Sequence, residues 1–311
     1  MVNLYIEESG LTVLPPIPAN VTRLVCNNNN LTVLPDLPDG LTTLVCSENQ
    51  LTSLPDLPAG LSALFCGNNQ LTSLPDLPAG LEQLFCGSNQ LVALPDLPAG
   101  LILLSCDGNQ LTALPALPVT LDGLVCDNNQ LTTLPNLPAE LTYVYCHDNQ
   151  LTALPDLPAE LTSLHCDNNN LTVLPELPAG LRRLHCENNQ LTSLPDLPTE
   201  LRNFSSTNNP FPPELQAIID EYVGDIDQLI ISVNYYNAEK RRSATLRQAG
   251  REMATLRSIL PALPGNTFRA NDPFAERLRK LQHNHNSFGP RRPRKSLRKK
   301  RKTNRRKTRR N

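Results

Sequence analysis

Nine cysteines stand at Cys26, Cys46, Cys66, Cys86, Cys106, Cys126, Cys146, Cys166 and Cys186, each 20 residues from the next. Thiols in such number suggest disulfides, a metal centre or a nucleophile. The count is odd, and constant spacing sets them in a line rather than in the tetrahedral cluster zinc requires. His165 and His185 occupy equivalent positions one spacing apart, near His147, Asp167 and Glu187. Two imidazoles and a carboxylate can hold a metal or sense pH. Proximity is the only support for that chemistry, and no nucleophile–base pair, phosphate loop or metal-motif spacing occurs elsewhere. No catalytic residue, metal ligand or cofactor is therefore assigned. The third group is cationic: Arg291, Arg292, Arg294, Lys295, Arg298, Lys299, Lys300, Arg301, Lys302, Arg305, Arg306, Lys307, Arg309 and Arg310 fill residues 291–311, with no acid among them. Such a run contacts phosphates without reading sequence or serves as a nuclear localisation signal.

These groups are positioned by a repeat. Residues 61–80 read LSALFCGNNQLTSLPDLPAG, and Leu61, Leu64, Cys66, Leu71, Leu74 and Leu77 recur in register. The segment from Ala63 to Gly67 alternates in and out, the period of a strand. It places Leu64 and Cys66 inward, and Ala63, Phe65 and Gly67 outward. Stacked strands make a parallel sheet. Asn69 and Asn89 belong to a column running from Asn29 to Asn209, placed to satisfy turn backbone groups that would otherwise be buried and unpaired. The return path, Leu-Pro-x-Leu-Pro, has two prolines three residues apart, which forbids a regular helix and predicts extended or polyproline II backbone. One such unit buries too little to offset the ordering of its own chain, so only stacking makes it stable.

A 20-residue period in a Leu-x-x-Leu-x-Cys-x-x-Asn-x-Leu frame is the signature of a leucine-rich repeat. Over residues 1–210 the sequence resembles the short bacterial-type repeats of secreted effectors from enteric pathogens, which share the LPxLP return. Cysteine at the second inward position, followed by Asn-Asn-Gln-Leu-Thr, also resembles repeat proteins of giant DNA viruses, as does the basic tail. The resemblance implies a partner among host factors. The ubiquitin-ligase members of the effector group need a catalytic cysteine in a large C-terminal domain. No cysteine follows Cys186 here, and about 100 residues remain, so that activity is not carried over.

The predicted fold class is thus an α+β repeat solenoid: a curved array with a parallel sheet on its concave face, a C-terminal helical cap and a disordered basic tail. Residues 1–210 hold ten repeats and a degenerate last strand. Residues 211–263 form the cap, which covers the exposed last repeat. Leu215, Ile218, Ile219, Tyr222 and Val223 have helical spacing, as do Ile226, Leu229, Ile230 and Val233, with Gly224 between them. A third helix, about 238–260, sets Leu246, Ala249, Met253, Leu256 and Leu260 on a heptad-like stripe. Residues 264–311 are linker and tail, with a short helix about 273–281 and disorder from His283.

Composition narrows the function further. The net charge of −2 conceals 21 acids against four arginines in residues 1–210. The acidic side includes a column from Asp36 to Asp196 on the convex side, consistent with a solvated edge that resists aggregation. A ladder of free inward thiols acts as small hydrophobes and implies a reducing, intracellular setting. No signal-like or membrane-spanning apolar run is present. The outward positions vary while the frame does not. Val25, Val45, Phe65 and Phe85 make an apolar strip beside Gly67 and Gly87, and Tyr143, Tyr145, His165, Arg183 and His185 make an aromatic, histidine-rich end. Aromatic and arginine side chains are the usual interface anchors. The expectation is a non-enzymatic scaffold without a membrane, of open oligomeric state with a monomer favoured, that binds a protein on its concave face and contacts nucleic acid or the nuclear import machinery through its tail. The competing expectation is a packaging or chromatin protein in which the tail carries the main function.

Overall fold

The structure, a computed structural model, describes residues 2–259. Eleven strands follow one another among the described residues and pair in parallel, in chain order, to form one sheet. They are β1 (Val2–Tyr5), β2 (Val21–Val25), β3 (Thr43–Val45), β4 (Ala63–Phe65), β5 (Gln83–Phe85), β6 (Leu103–Ser105), β7 (Gly123–Val125), β8 (Tyr143–Tyr145), β9 (Ser163–His165), β10 (Arg183–His185) and β11 (Asn203–Ser205). From β2 onward each residue pairs with the one 20 positions later, as Leu44 does with Leu64 and Leu64 with Leu84. The register slips once, between Val2 and Asn3 at the N-terminal end.

Repetition produces the core. The inward leucines Leu24, Leu44, Leu64 and Leu84, and all nine cysteines, are shielded from solvent, and each stacks on its counterpart to give one continuous apolar column. From β3 onward the strands are only three residues long because the asparagine ladder takes over where they end. Asn49 Nδ2 donates to the carbonyls of Cys26, Cys46 and Ser47 at 3.0, 3.1 and 3.1 Å, while its Oδ1 accepts from Leu31 N at 3.0 Å. The same pattern, with one side chain tying two consecutive repeats, holds through Asn209. The Leu-Pro-x-Leu-Pro returns contain no helix.

One requirement of the frame has a weak sequence signature. The residue before each ladder asparagine has positive φ: 56° at Asn28, 52° at Asn68, 59° at Gly108 and 53° at Asn128. Asparagine, aspartate and glycine tolerate this left-handed conformation best. Glu48 and Ser88, at 54° and 55°, adopt it without that advantage.

Two helices follow, α1 (Pro213–Glu221) and α2 (Ile226–Ile259). Pro213 sits where its missing N–H is harmless, and Gly224, at φ 86°, separates the two. Leu215, Ile219, Leu229, Ile230 and Val233 close the apolar column behind the last repeat. Two asparagines that no sequence pattern singles out complete the cap. Asn234 takes both backbone groups of Leu197 (2.7 and 2.9 Å), and Asn237 Nδ2 donates to Leu194 O and Asp196 Oδ1, each at 3.1 Å. Val223 belongs to the break rather than to the buried face and is 81% exposed.

The described chain divides into two units after Asn237, the second beginning at Ala238. The helix expected over 238–260 is not separate: α2 runs unbroken from Ile226 to Ile259 because no proline or glycine interrupts residues 226–249. Much of its heptad-like stripe, the short helix expected at 273–281 and the entire basic run lie outside the described residues. Among those described, no helix is long and apolar enough to cross a membrane.

Candidate functional site

Two residues of each strand and the second residue after it point outward, as Ala63, Phe65 and Gly67 do, and the parallel register lines these positions up in rows. The central row reads Tyr5, Val25, Val45, Phe65, Phe85, Ser105, Val125, Tyr145, His165, His185 and Ser205. Adjacent strands lie about 4.8 Å apart, close to the separation at which flat rings stack. Phe65 and Phe85 accordingly stack at 4.9 Å between centroids, with ring planes 13° apart. Tyr145, His165 and His185 continue the pattern at 4.4 and 4.2 Å. Val25 is 4% exposed, so it contributes floor rather than contact surface.

Glycines on the flanking rows make room for side chains that lie across them. Asp107 covers Gly87, where a Cβ would meet its carboxylate, and is held there by Ser105 Oγ donating to Oδ1 at 2.6 Å. The Tyr143 ring covers Gly123 in the same way and meets Tyr145 at 5.5 Å. Gly67, beside the Phe65–Phe85 pair, has only Gly87 backbone near it. Tyr143 and Arg183 share a row, but buried Ser163 lies between them.

The C-terminal end is polar and poorly satisfied. His147 Nε2 lies 3.4 Å from Asp127 Oδ2. His147 Nδ1, His165 Nε2, His185 Nε2, Glu187 Oε2 and Ser163 Oγ are shielded from solvent without a hydrogen-bond partner. Burial, and then the neighbouring His185, His147 and Arg183, lower the His165 pKa to about 4, so its ring is neutral at physiological pH. Burial and the adjacent Glu187 raise the Asp167 carboxyl above its ordinary range. Burial dominates at the thiols. It pushes Cys26 up to about 12 and holds Cys46, Cys66, Cys86 and Cys106 well above the usual range. These thiols stay protonated and apolar, which suits packing and not nucleophilic attack.

The structure brings together the Phe65–Phe85 pair and the Tyr143, Tyr145, His165 and His185 group. Sequence reasoning missed how Asp107 and Tyr143 use Gly87 and Gly123. The only signal was a glycine one repeat before a large or charged residue in the same column.

No protein-family profile matches this sequence, and no curated protein does either. Solved structures do. The chain is 36% identical to YopM from Yersinia enterocolitica WA-314, at a TM-score of 0.57, over 65% of this chain and 50% of that one. It is 33% identical to YopM, a leucine-rich effector protein of Yersinia pestis, at a TM-score of 0.50, over 66% of this chain and 77% of that one. It thus spans half the length of the first protein and about three quarters of the second. A chain in the octameric complex of latrophilin 3, Unc5D and the leucine-rich repeat part of FLRT2 is 25% identical at a TM-score of 0.55, over 67% of this chain and 74% of that one.

Proposed function

Because this chain belongs to the leucine-rich repeat proteins with the short bacterial-type repeat, we propose that it is a non-enzymatic scaffold that binds another protein on the concave face of its sheet. The observation that carries this reading is the central row. From Val45 to His185 it presents an almost unbroken line of half-buried apolar and aromatic side chains on a rigid backbone. Stacked rings lose little conformational freedom on binding, which is the economy expected of interface anchors. The FLRT2 assembly, in which a leucine-rich repeat protein meets two other proteins, supports the same class of function. Nine buried, unpaired thiols fit a reducing compartment inside a cell, where the partner is a host or cellular protein.

The basic run gives the scaffold a second contact. Fourteen cations in residues 291–311 suit phosphate binding or nuclear import. They also suit electrostatic attraction to the acidic repeats, which weakens as salt is added. The density of that charge favours one alternative, a packaging or chromatin protein in which the tail does the main work.

A pull-down from eukaryotic lysate separates these readings, with and without nuclease, using the full chain and a version ending at Pro290. Discrete proteins retained by both versions, and lost on F65A, F85A or Y145A substitution, support the scaffold. Loss of all binding with the tail or with nuclease would select the nucleic-acid reading. In that case the affinity of the full chain for DNA or RNA falls steeply between low and physiological salt.

A further inference from the structure

We propose that Asp167, His185 and Glu187 form a binding site for one divalent transition-metal ion of the zinc class at the C-terminal end of the sheet. One donor atom from each residue lies within 4.8 Å of the other two. The arrangement follows from the register. Asp167 and Glu187 occupy one row on neighbouring repeats, and His185 precedes Glu187 by two residues, so all three share the outer face. Two carboxylates side by side repel, and a cation resolves that repulsion. The neighbouring polar atoms need a partner as well: His185 Nε2 and Glu187 Oε2 are shielded from water and make no hydrogen bond. Folded proteins leave few such atoms unpaired, and a bound ion satisfies them as a hydrogen bond would.

The donor set indicates which ion. Imidazole with carboxylate suits zinc and its neighbours, whereas calcium and magnesium take oxygen ligands. A tetrahedral ion with bonds of about 2.0 Å needs donors about 3.3 Å apart, so rotation of the three side chains by about an ångström closes the site. Three protein ligands leave the fourth position of a tetrahedral ion to water. Around them stand positioning residues of the kind that metal sites use. His165 stacks on His185 at 4.2 Å with planes 9° apart, fixing that ring. Asn168 Nδ2 donates to Asp167 Oδ2 at 3.0 Å, fixing that carboxylate. The cysteines lie on the inner face, shielded from solvent, and do not reach the site in the folded chain.

The test is calorimetric titration of the full chain with zinc sulfate at neutral pH after chelator treatment, with thermal melts to confirm that each variant folds. The expected result is one ion per chain, with affinity reduced at least tenfold by H185A and by E187Q and unchanged by D127N, which lies outside the cluster. Cobalt(II) in place of zinc should give a tetrahedral visible spectrum without a thiolate charge-transfer band. The proposal is overturned by the absence of saturable binding, by affinity in H185A and E187Q unchanged from that of the unsubstituted chain, or by a thiolate band, which would assign the ion to the cysteines.

Discussion

Strand β6 presents Leu104 to the core at 1% exposure, and Leu103 and Ser105 to the outer face, half-buried. Along the chain the inner position reads leucine from β2 to β7, valine at β8 and leucine again at β9 and β10, every one shielded from solvent. The central outer position changes from valine to phenylalanine to serine, back to valine, then to tyrosine and histidine over the same strands. One backbone therefore carries two surfaces under opposite constraints. An inner side chain must fit between two copies of itself about 4.8 Å away, whereas an outer one must only clear its neighbours. Chemistry is free to vary on the outside because the inside does not vary.

Alkali should break the inner surface most severely. The thiol pKa values are raised by burial, to about 12 at Cys26. An unfolded thiol ionises near 8.5, so the folded state holds protons that the unfolded state releases above that pH. The thiols' contribution is complete below about 8.5 and is lost as pH rises toward the folded pKa, at about 1.4 kcal/mol per thiol per pH unit. Urea midpoints should fall steeply between pH 8.5 and 10, and less steeply in a variant with Cys86, Cys106 and Cys126 replaced by alanine. An equal slope in both would count against thiol burial as the cause.

Single substitutions come next. Asn109 bonds three carbonyls and one N–H across two repeats, so N109A should cost about 3 kcal/mol or more through buried groups left unpaired. Leu104→Ala should cost about 2–5 kcal/mol, against about 1 kcal/mol or less for Leu103→Ala one position away. Similar losses for the two leucines would erase the distinction between the faces. On the outer face, F65A combined with F85A should cost about 1–2 kcal/mol of stability but weaken partner binding at least tenfold. A stability loss as large as that of L104A would make the stacked pair part of the core.

The smallest effect tests the turn. Ser88 holds a φ of 55° without the tolerance of asparagine or glycine, so S88G should stabilise the chain by about 0.5–1 kcal/mol. Chemical denaturation resolves a shift of that size, and destabilisation would show that the Ser88 hydroxyl, 3.2 Å from where a Cβ at Gly108 would stand, matters more than the strain.

The repeat made much of this readable in advance. Inward Leu64 and Cys66, the asparagine ladder, the helix-free returns and the break at Gly224 all follow from residue type and spacing, since a motif in register ten times over leaves little freedom to misread its faces. Legibility ended where the repeat did. Asn234 and Asn237 look like ordinary helix residues in the sequence. Nothing local says that they will reach the Leu197 and Leu194 backbone some 40 positions earlier. The boundary expected between the second and third helices does not exist, because the chain contains no break there and α2 runs through it.

The sequence by itself determined the period, the inward and outward faces, the inward thiol column and the order of chemistries along the open side, because each depends on composition and on a fixed 20-residue translation. The tertiary structure alone decided how neighbouring outer side chains share space: Asp107 and Tyr143 lying over glycines, phenylalanine and histidine rings stacking at strand spacing, and donor atoms of Asp167, His185 and Glu187 within 4.8 Å of one another. Those arrangements turn on side-chain direction over a few ångströms, which register brings within reach but only packing decides.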